Sequence, residues 1–135
     1  MADFSALDLA IHAARAMDMK GAEDLQILAV PPASGAPFDY VVLGNGRSER
    51  QVSTLAEEVF HLCKRHDIPH RPVEGEGGWR VIDCMDVIAH AFTAELRAFY
   101  RLETLWEGAQ AIDLAEAFAR VPGLEPHSNA KETSW

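Results

Sequence analysis

The stretch WRVIDCMDVIAHAFTAELRAFYRLETLW, residues 79–106, decides the fold. Its first half contains two alternating runs, Trp79 to Asp83 and Asp86 to Phe92. A period of two predicts β-strands, and a turn at Cys84-Met85 predicts that the strands form a hairpin. With a two-residue or a four-residue loop, Trp79 then faces His90 on one side of the sheet. Apolar residues on both sides predict that this strand pair lies inside a sheet covered on both faces.

The rest of the chain predicts the other elements of one α/β domain. Ser5 is the expected N-cap of the first helix, and Ser48 with Gln51 is a capping box for the second. The predicted elements are a helix over 5–19, strands over 25–30 and 39–44, a helix over 48–67, a strand over 71–74, the hairpin, a helix up to Trp106 and a helix over 111–121. This order predicts a single domain, residues 1–121, with a mixed five-stranded sheet flanked by helices. Residues 122–135 are predicted to form a flexible tail.

Helical spacing also predicts which side of the second helix is buried. The expected inward residues are Val52, Leu55, Ala56, Val59, Leu62 and Cys63.

Composition limits the partners and the compartment. The net charge is −9, from 21 acidic residues against 12 lysines and arginines. Without a basic stripe we expect little direct contact with nucleic acid, and a basic protein is the expected partner. The absence of a signal-peptide pattern and of an apolar run of about 20 residues predicts a cytoplasmic protein with no membrane contact. The two cysteines fall in different predicted elements, so no disulfide framework is expected.

Three patterns suggest chemistry, and each has a simpler explanation. Asp83 and Asp86 suggest a magnesium site, but aspartates also cap backbone N–H groups in turns, which we favour. The turn Gly44-Asn45-Gly46 suggests a phosphate cradle, although a strand-to-helix turn requires glycines anyway. His61, Cys63, His66 and His70 suggest zinc, yet His61 and Cys63 point about 200° apart on a helix, and Cys63 with His66 would still lack two ligands. We therefore predict no catalytic residue, no metal and no cofactor.

The same stretch carries a resemblance to a known family. The ordered set Trp79, Asp83, Asp86-Val87, His90, Phe92, Arg97, Phe99-Tyr100, Leu102-Glu103 and Leu105-Trp106 resembles the ribosomal silencing factor family, also called Iojap-like. The likeness extends through residues 38–59 and 73–75. It implies a nucleotidyltransferase-like topology and a non-catalytic translational repressor. Such a repressor binds the large ribosomal subunit through ribosomal protein number fourteen and sterically blocks association with the small subunit.

The resemblance also implies a docking surface and leaves alternatives open. Members of the family are often dimers, so a homodimer is a second expected association. The alternative function is a divalent-metal nucleotidyltransferase-type enzyme, or a nucleotide-binding relic of one. We expect Trp79 and Tyr100 to be exposed, Phe99 and Trp106 to be core residues, and Arg97 and Glu103 to form a polar rim. The residues predicted to bind the partner are Trp79, Asp83, Cys84, Met85, Asp86, His90, Arg97, Tyr100, Leu102 and Glu103.

Overall fold

The computed structural model describes residues 4–106 and 108–120, with the backbone alone at position 103. Its strands are β1 (Glu23–Ala29), β2 (Tyr40–Gly46), β3 (Glu74–Glu76), β4 (Trp79–Asp83), β5 (Val87–Thr93) and β6 (Gln110–Ala111). Its helices are α1 (Ala6–Asp18), α2 (Glu49–Arg65), α3 (Ala94–Tyr100) and α4 (Leu114–Arg120). The predicted tail, residues 122–135, lies outside the described residues.

The six strands form one mixed sheet in the order β3-β4-β5-β2-β1-β6. Only β2 and β5 run parallel within it, and the other neighbours are antiparallel. The predicted mixed α/β domain is confirmed, with a sixth strand that the sequence pattern did not show. That strand is two residues long and pairs with Leu28 and Ala29 of β1, which is too short for a detectable alternation.

Local capping fixes the starts of the two long helices. The Ser5 hydroxyl accepts a hydrogen bond from the Asp8 N–H at 3.0 Å, and the Ser48 hydroxyl accepts one from the Gln51 N–H at 3.1 Å. The Gln51 side chain reaches back to the Arg47 N–H at 2.7 Å. Both predicted N-caps are confirmed, because they depend on residues only three positions apart.

The two faces of the sheet are covered unequally. Helices α1 and α2 pack side by side on one face and enclose the larger core. The predicted inward side of α2 is confirmed: Val52, Leu55, Ala56, Val59, Leu62 and Cys63 are all buried. The other face has a smaller core, Leu28, Val30, Val41, Leu43, Phe92 and Leu102, under short connecting segments and partly buried aromatic residues. This second face therefore retains accessible side chains.

Candidate protein-binding face

The hairpin holds Trp79 and His90 on the less covered face. Trp79 pairs directly with Phe92, and His90 with Val81, so the register is shifted by two residues from the predicted one. A shift of two keeps every side chain on its predicted side of the sheet. The Trp79 indole N–H donates a hydrogen bond to His90 Nδ1 at 3.1 Å across the diagonal. The shared face is confirmed, and the direct pairing of 79 with 90 is wrong.

Three further aromatic rings extend this contact. The ring centroids of Tyr100 and Trp79 are 5.1 Å apart, those of Trp106 and His90 are 5.8 Å apart, and those of Phe38 and Trp106 are 6.3 Å apart. We call Trp79, Tyr100, Trp106 and Phe38 the aromatic face. Trp79 and Trp106 are half-buried, whereas Tyr100 is 49% exposed. The expected exposure of Tyr100 is confirmed, and that of Trp79 is confirmed in part.

Phe99 lies beside the aromatic face and was assigned wrongly. Its ring makes an edge-on contact with Tyr100, at 4.9 Å between centroids, and the residue is 75% exposed. The prediction that Phe99 is a core residue is therefore wrong, because α3 directs it into solvent. Leu105, at 57% exposed, is a second apolar residue whose exposure was not predicted. Large exposed apolar residues that lie close together are typical of contact surfaces.

His90 is buried beneath the aromatic face and contacts Trp79 from the interior of the protein. The residue is only 6% exposed, and burial lowers the pKa of its imidazole from 6.5 to about 4. The ring is therefore neutral at pH 7, with Nδ1 free to accept the Trp79 bond. Its other nitrogen, Nε2, is buried and has no partner among the described residues. His90 thus orients Trp79, and its burial contradicts a direct contact with a partner.

The hairpin tip carries the second part of the predicted surface. The Asp83 carboxylate accepts a hydrogen bond from the Met85 N–H at 2.9 Å and lies 3.6 Å from the Arg71 guanidinium. The capping role predicted for Asp83 is confirmed. Met85 is 53% exposed and has a φ of +71°, in the left-handed region, and Asp86 is exposed. Cys84 is 2% exposed, which contradicts its predicted place on the surface.

Asp86 differs from Asp83 in how it contributes to the turn. Its backbone carbonyl, and not its carboxylate, accepts the hydrogen bond from the Asp39 N–H at 2.7 Å. Its carboxylate is exposed and accepts no hydrogen bond from the described residues, so the capping role predicted for Asp86 is wrong. Across residues 4–106 and 108–120, no three His, Cys, Asp or Glu side chains are grouped so that they could hold a metal ion.

Arg97 and Leu102 are buried, contrary to prediction. The Arg97 guanidinium donates hydrogen bonds to the Asp24 carbonyl at 2.7 Å and to Asn45 Oδ1 at 2.8 Å, and it also bonds Gln26 Oε1. These contacts tie α3 to β1 and β2, so Arg97 is an internal support and not a polar rim. Leu102, at 1% exposed, belongs to the smaller core. The side chain of Glu103 lies outside the described residues.

The glycine-containing segment Gly44-Asn45-Gly46 is not a turn. It is the end of β2 and pairs with residues 91–93 of β5. A Cβ on Gly46 would lie 2.8 Å from the Val52 backbone nitrogen, and one on Gly44 would lie 2.6 Å from the Met17 side chain. The glycines therefore allow α1 and α2 to approach the sheet closely, and the suggested phosphate cradle is wrong.

The class of protein is thus an acidic α/β domain with one closed and one partly open sheet face. A sequence model of the family described as "ribosomal silencing factor during starvation" matches residues 3–134. The chain belongs to the ribosomal silencing factor family, a group of ribosome-associated regulators of translation. The predicted resemblance to this family is confirmed.

Individual relatives agree with this assignment. The chain is 36% identical to the ribosomal silencing factor RsfS of Bacillus subtilis, over 76% of this chain and 87% of the relative. It is 33% identical to RsfS of Halalkalibacterium halodurans, over 84% and 96% of the two chains. Among solved structures, a Chromobacterium violaceum protein superposes with a TM-score of 0.73 at 25% identity, over 84% of this chain and 98% of that one. A Bacillus halodurans protein gives 0.63 at 32% identity, over 79% and 95%.

Proposed function

We propose that this protein binds the large ribosomal subunit through ribosomal protein number fourteen and thereby sterically blocks the small subunit. The observation that carries the proposal is the partly open aromatic face, with Tyr100 49% and Phe99 75% exposed beside the half-buried Trp79. Tryptophan and tyrosine are the residues that most often dominate binding energy at protein interfaces. A standard interface of about 1,200–2,000 Å² in total would be large enough to occlude a second subunit.

The residues behind the aromatic face favour tight binding by holding it in place. His90 fixes the Trp79 indole through the 3.1 Å hydrogen bond, and Arg97 anchors the helix that carries Tyr100 through bonds to β1 and β2. Because these anchors are formed within the free protein, little side-chain entropy is lost on docking. The predicted binding residues that are buried therefore act as supports for the exposed ones.

The net charge of this protein indicates what kind of partner it binds. The net charge of −9 favours a basic partner, and ribosomal proteins are typically basic. The exposed Asp86 and Met85 at the hairpin tip would contact that partner at one end, and Tyr100 with Phe99 at the other. We expect the affinity to fall as salt concentration rises, since opposite charges steer the encounter.

The proposal involves occlusion alone and no chemical reaction. It locates the protein in the cytoplasm with the ribosomes and away from membranes. In the part of the chain that the structure describes, no helix is long and apolar enough to cross a bilayer.

The decisive experiment is co-sedimentation of the full chain with purified large subunits. Tyr100→Ala is expected to weaken binding about 30-fold, because truncating an aromatic anchor costs about 2 kcal/mol. Met19→Ala is the matched control: Met19 is 56% exposed, but it follows α1 on the opposite side of the sheet. Equal binding by the two variants would contradict docking through the aromatic face.

The partner and the mechanism require separate measurements. Crosslinking from position 99 should label ribosomal protein number fourteen, and pre-bound protein should prevent 70S-type particles from forming when small subunits are added. A homodimer through the same face would compete with the ribosome, so light scattering is used to find a concentration at which the free protein is monomeric. Crosslinks to other large-subunit proteins alone would refute the proposed partner.

A further inference from the structure

Two cysteines that are distant in sequence lie in contact inside the protein. Cys63 is in the last turn of α2, and Cys84 directly follows β4. Their Sγ atoms are 3.3 Å apart and both residues are buried, at 0% and 2% exposure. Both thiols are free in the structure. Although the sequence places them in different elements, the fold brings them together.

The backbone on either side of this pair is already fixed. The Cys84 N–H donates to the Val87 carbonyl at 2.8 Å, and the Cys63 carbonyl accepts from the Ile68 N–H at 2.9 Å. A disulfide has an S–S distance of about 2.05 Å, so the two sulfurs need to approach by little more than about 1 Å.

A cleft gives small molecules a route to Cys84. It has a volume of about 330 Å³, and Cys84 lines it together with Phe4, Asp67, Ile68 and Met85. A hydroperoxide of the size of one or two water molecules fits such a cleft. Cys63 lies immediately behind Cys84, at the 3.3 Å contact.

We infer that Cys63 and Cys84 form a redox-sensitive dithiol that a hydroperoxide converts into an intramolecular disulfide. Disulfides that form in reducing compartments are typically transient, and are either catalytic or redox-sensing. The inference concerns the covalent state of the chain and does not depend on the proposed ribosomal partner.

The two sulfurs are placed differently. Cys84 lines the cleft, whereas Cys63 lies behind it. The hydrogen bond between them lowers the pKa of Cys63 and, with burial, raises the pKa of Cys84. In the first step one of the two sulfurs, as its thiolate, attacks one peroxide oxygen, the O–O bond breaks, and the other oxygen takes up a proton and leaves as water, or as an alcohol from an organic peroxide. The product is a sulfenic acid at that cysteine.

The second step closes the disulfide. The sulfur of the other cysteine attacks the sulfur of the sulfenic acid, the S–O bond breaks, and the departing hydroxide takes the proton of the attacking thiol and leaves as water. The two thiols together lose two electrons and the peroxide gains them. A thiol reductant reverses the change by thiol–disulfide exchange.

The test treats the reduced full chain with hydrogen peroxide, alkylates it in denaturant and measures masses. We expect a monomer lighter by about 2 Da with neither cysteine alkylated, as two hydrogens are lost. Trypsin should then release residues 51–64 linked to residues 81–97, a peptide that dithiothreitol separates. Formation should be at least about tenfold faster in the folded chain than in urea, where the contact is lost.

The single variants Cys63→Ala and Cys84→Ala serve as controls for this experiment. Neither should give the linked peptide, and circular dichroism confirms that each is folded. Two cysteines that remain open to alkylation, oxidation that stops at sulfinic acid, disulfides only between chains, or equal rates with and without urea would each overturn the inference.

Discussion

Acidification should destabilise this protein through His90. Burial lowers the pKa of the folded-state imidazole from 6.5 to about 4. A histidine whose pKa is lower in the folded state than in the unfolded state contributes its full stability above the unfolded value. That contribution falls as pH decreases from 6.5 towards 4, because the unfolded chain takes up the proton first. Since one pKa unit corresponds to about 1.4 kcal/mol, the full loss is about 3 kcal/mol.

Most of this loss falls in an accessible pH range. Linkage between the two pKa values gives a decrease of about 2 kcal/mol in the free energy of unfolding from pH 7 to pH 5. Urea unfolding followed by circular dichroism measures it directly. The protein concentration should be low, because the calculated isoelectric point is about 5.0.

The matched variant for this measurement is His90→Asn. Its Oδ1 can still accept the hydrogen bond from Trp79, but the side chain does not titrate. We expect the variant to lose some stability at every pH, and to lose about 2 kcal/mol less than the parent between pH 7 and pH 5. Parallel curves for the two proteins, or an NMR titration of His90 near 6.5, would refute the reasoning.

Three further substitutions test the fold around the site, each by the free energy of unfolding in urea. Arg97→Met should lower the free energy of unfolding by at least about 3 kcal/mol, because it leaves buried acceptors on Asp24, Gln26 and Asn45 without a donor. A decrease of less than about 1 kcal/mol would show that water replaces the guanidinium. Ser48→Ala should lower the free energy of unfolding by about 1 kcal/mol, because the N-cap of α2 is lost. Ser53→Ala within the same helix is the control and should be nearly neutral. Equal effects of the two substitutions would contradict the capping argument. Gly46→Ala should cost about 1–3 kcal/mol, because the added Cβ would lie 2.8 Å from the Val52 nitrogen, and an unchanged stability would show that α2 can shift.

Features that depend on nearby residues were predictable from the sequence. The capping serines, the buried side of α2 and the shared face of Trp79 and His90 follow from spacings of two to four residues. The register of the hairpin was not predictable in the same way. The turn is centred on Met85-Asp86, where Met85 adopts a positive φ, and not on Cys84-Met85, and this displacement by one position shifts the pairing by two residues.

Features that depend on distant residues were not predictable. Arg97 was expected in a polar rim at the surface, but its acceptors Asp24 and Asn45 lie 73 and 52 positions away in sequence. The contact between Cys63 and Cys84 has the same origin, since it exists only once α2 packs on the sheet. Glycines are ambiguous for a related reason: a turn and a close helix contact both require a missing side chain.

The two edge strands of the sheet limit pairing with strands of other protein chains. β3 contains three residues and β6 only two, and all five are exposed. Edge strands this short offer few free backbone N–H and C=O groups to a strand of another chain, so they disfavour aggregation by edge-to-edge pairing. The exposed apolar side chains beside Trp79 thus remain free to associate, while the edges of the sheet resist association with other copies of the chain.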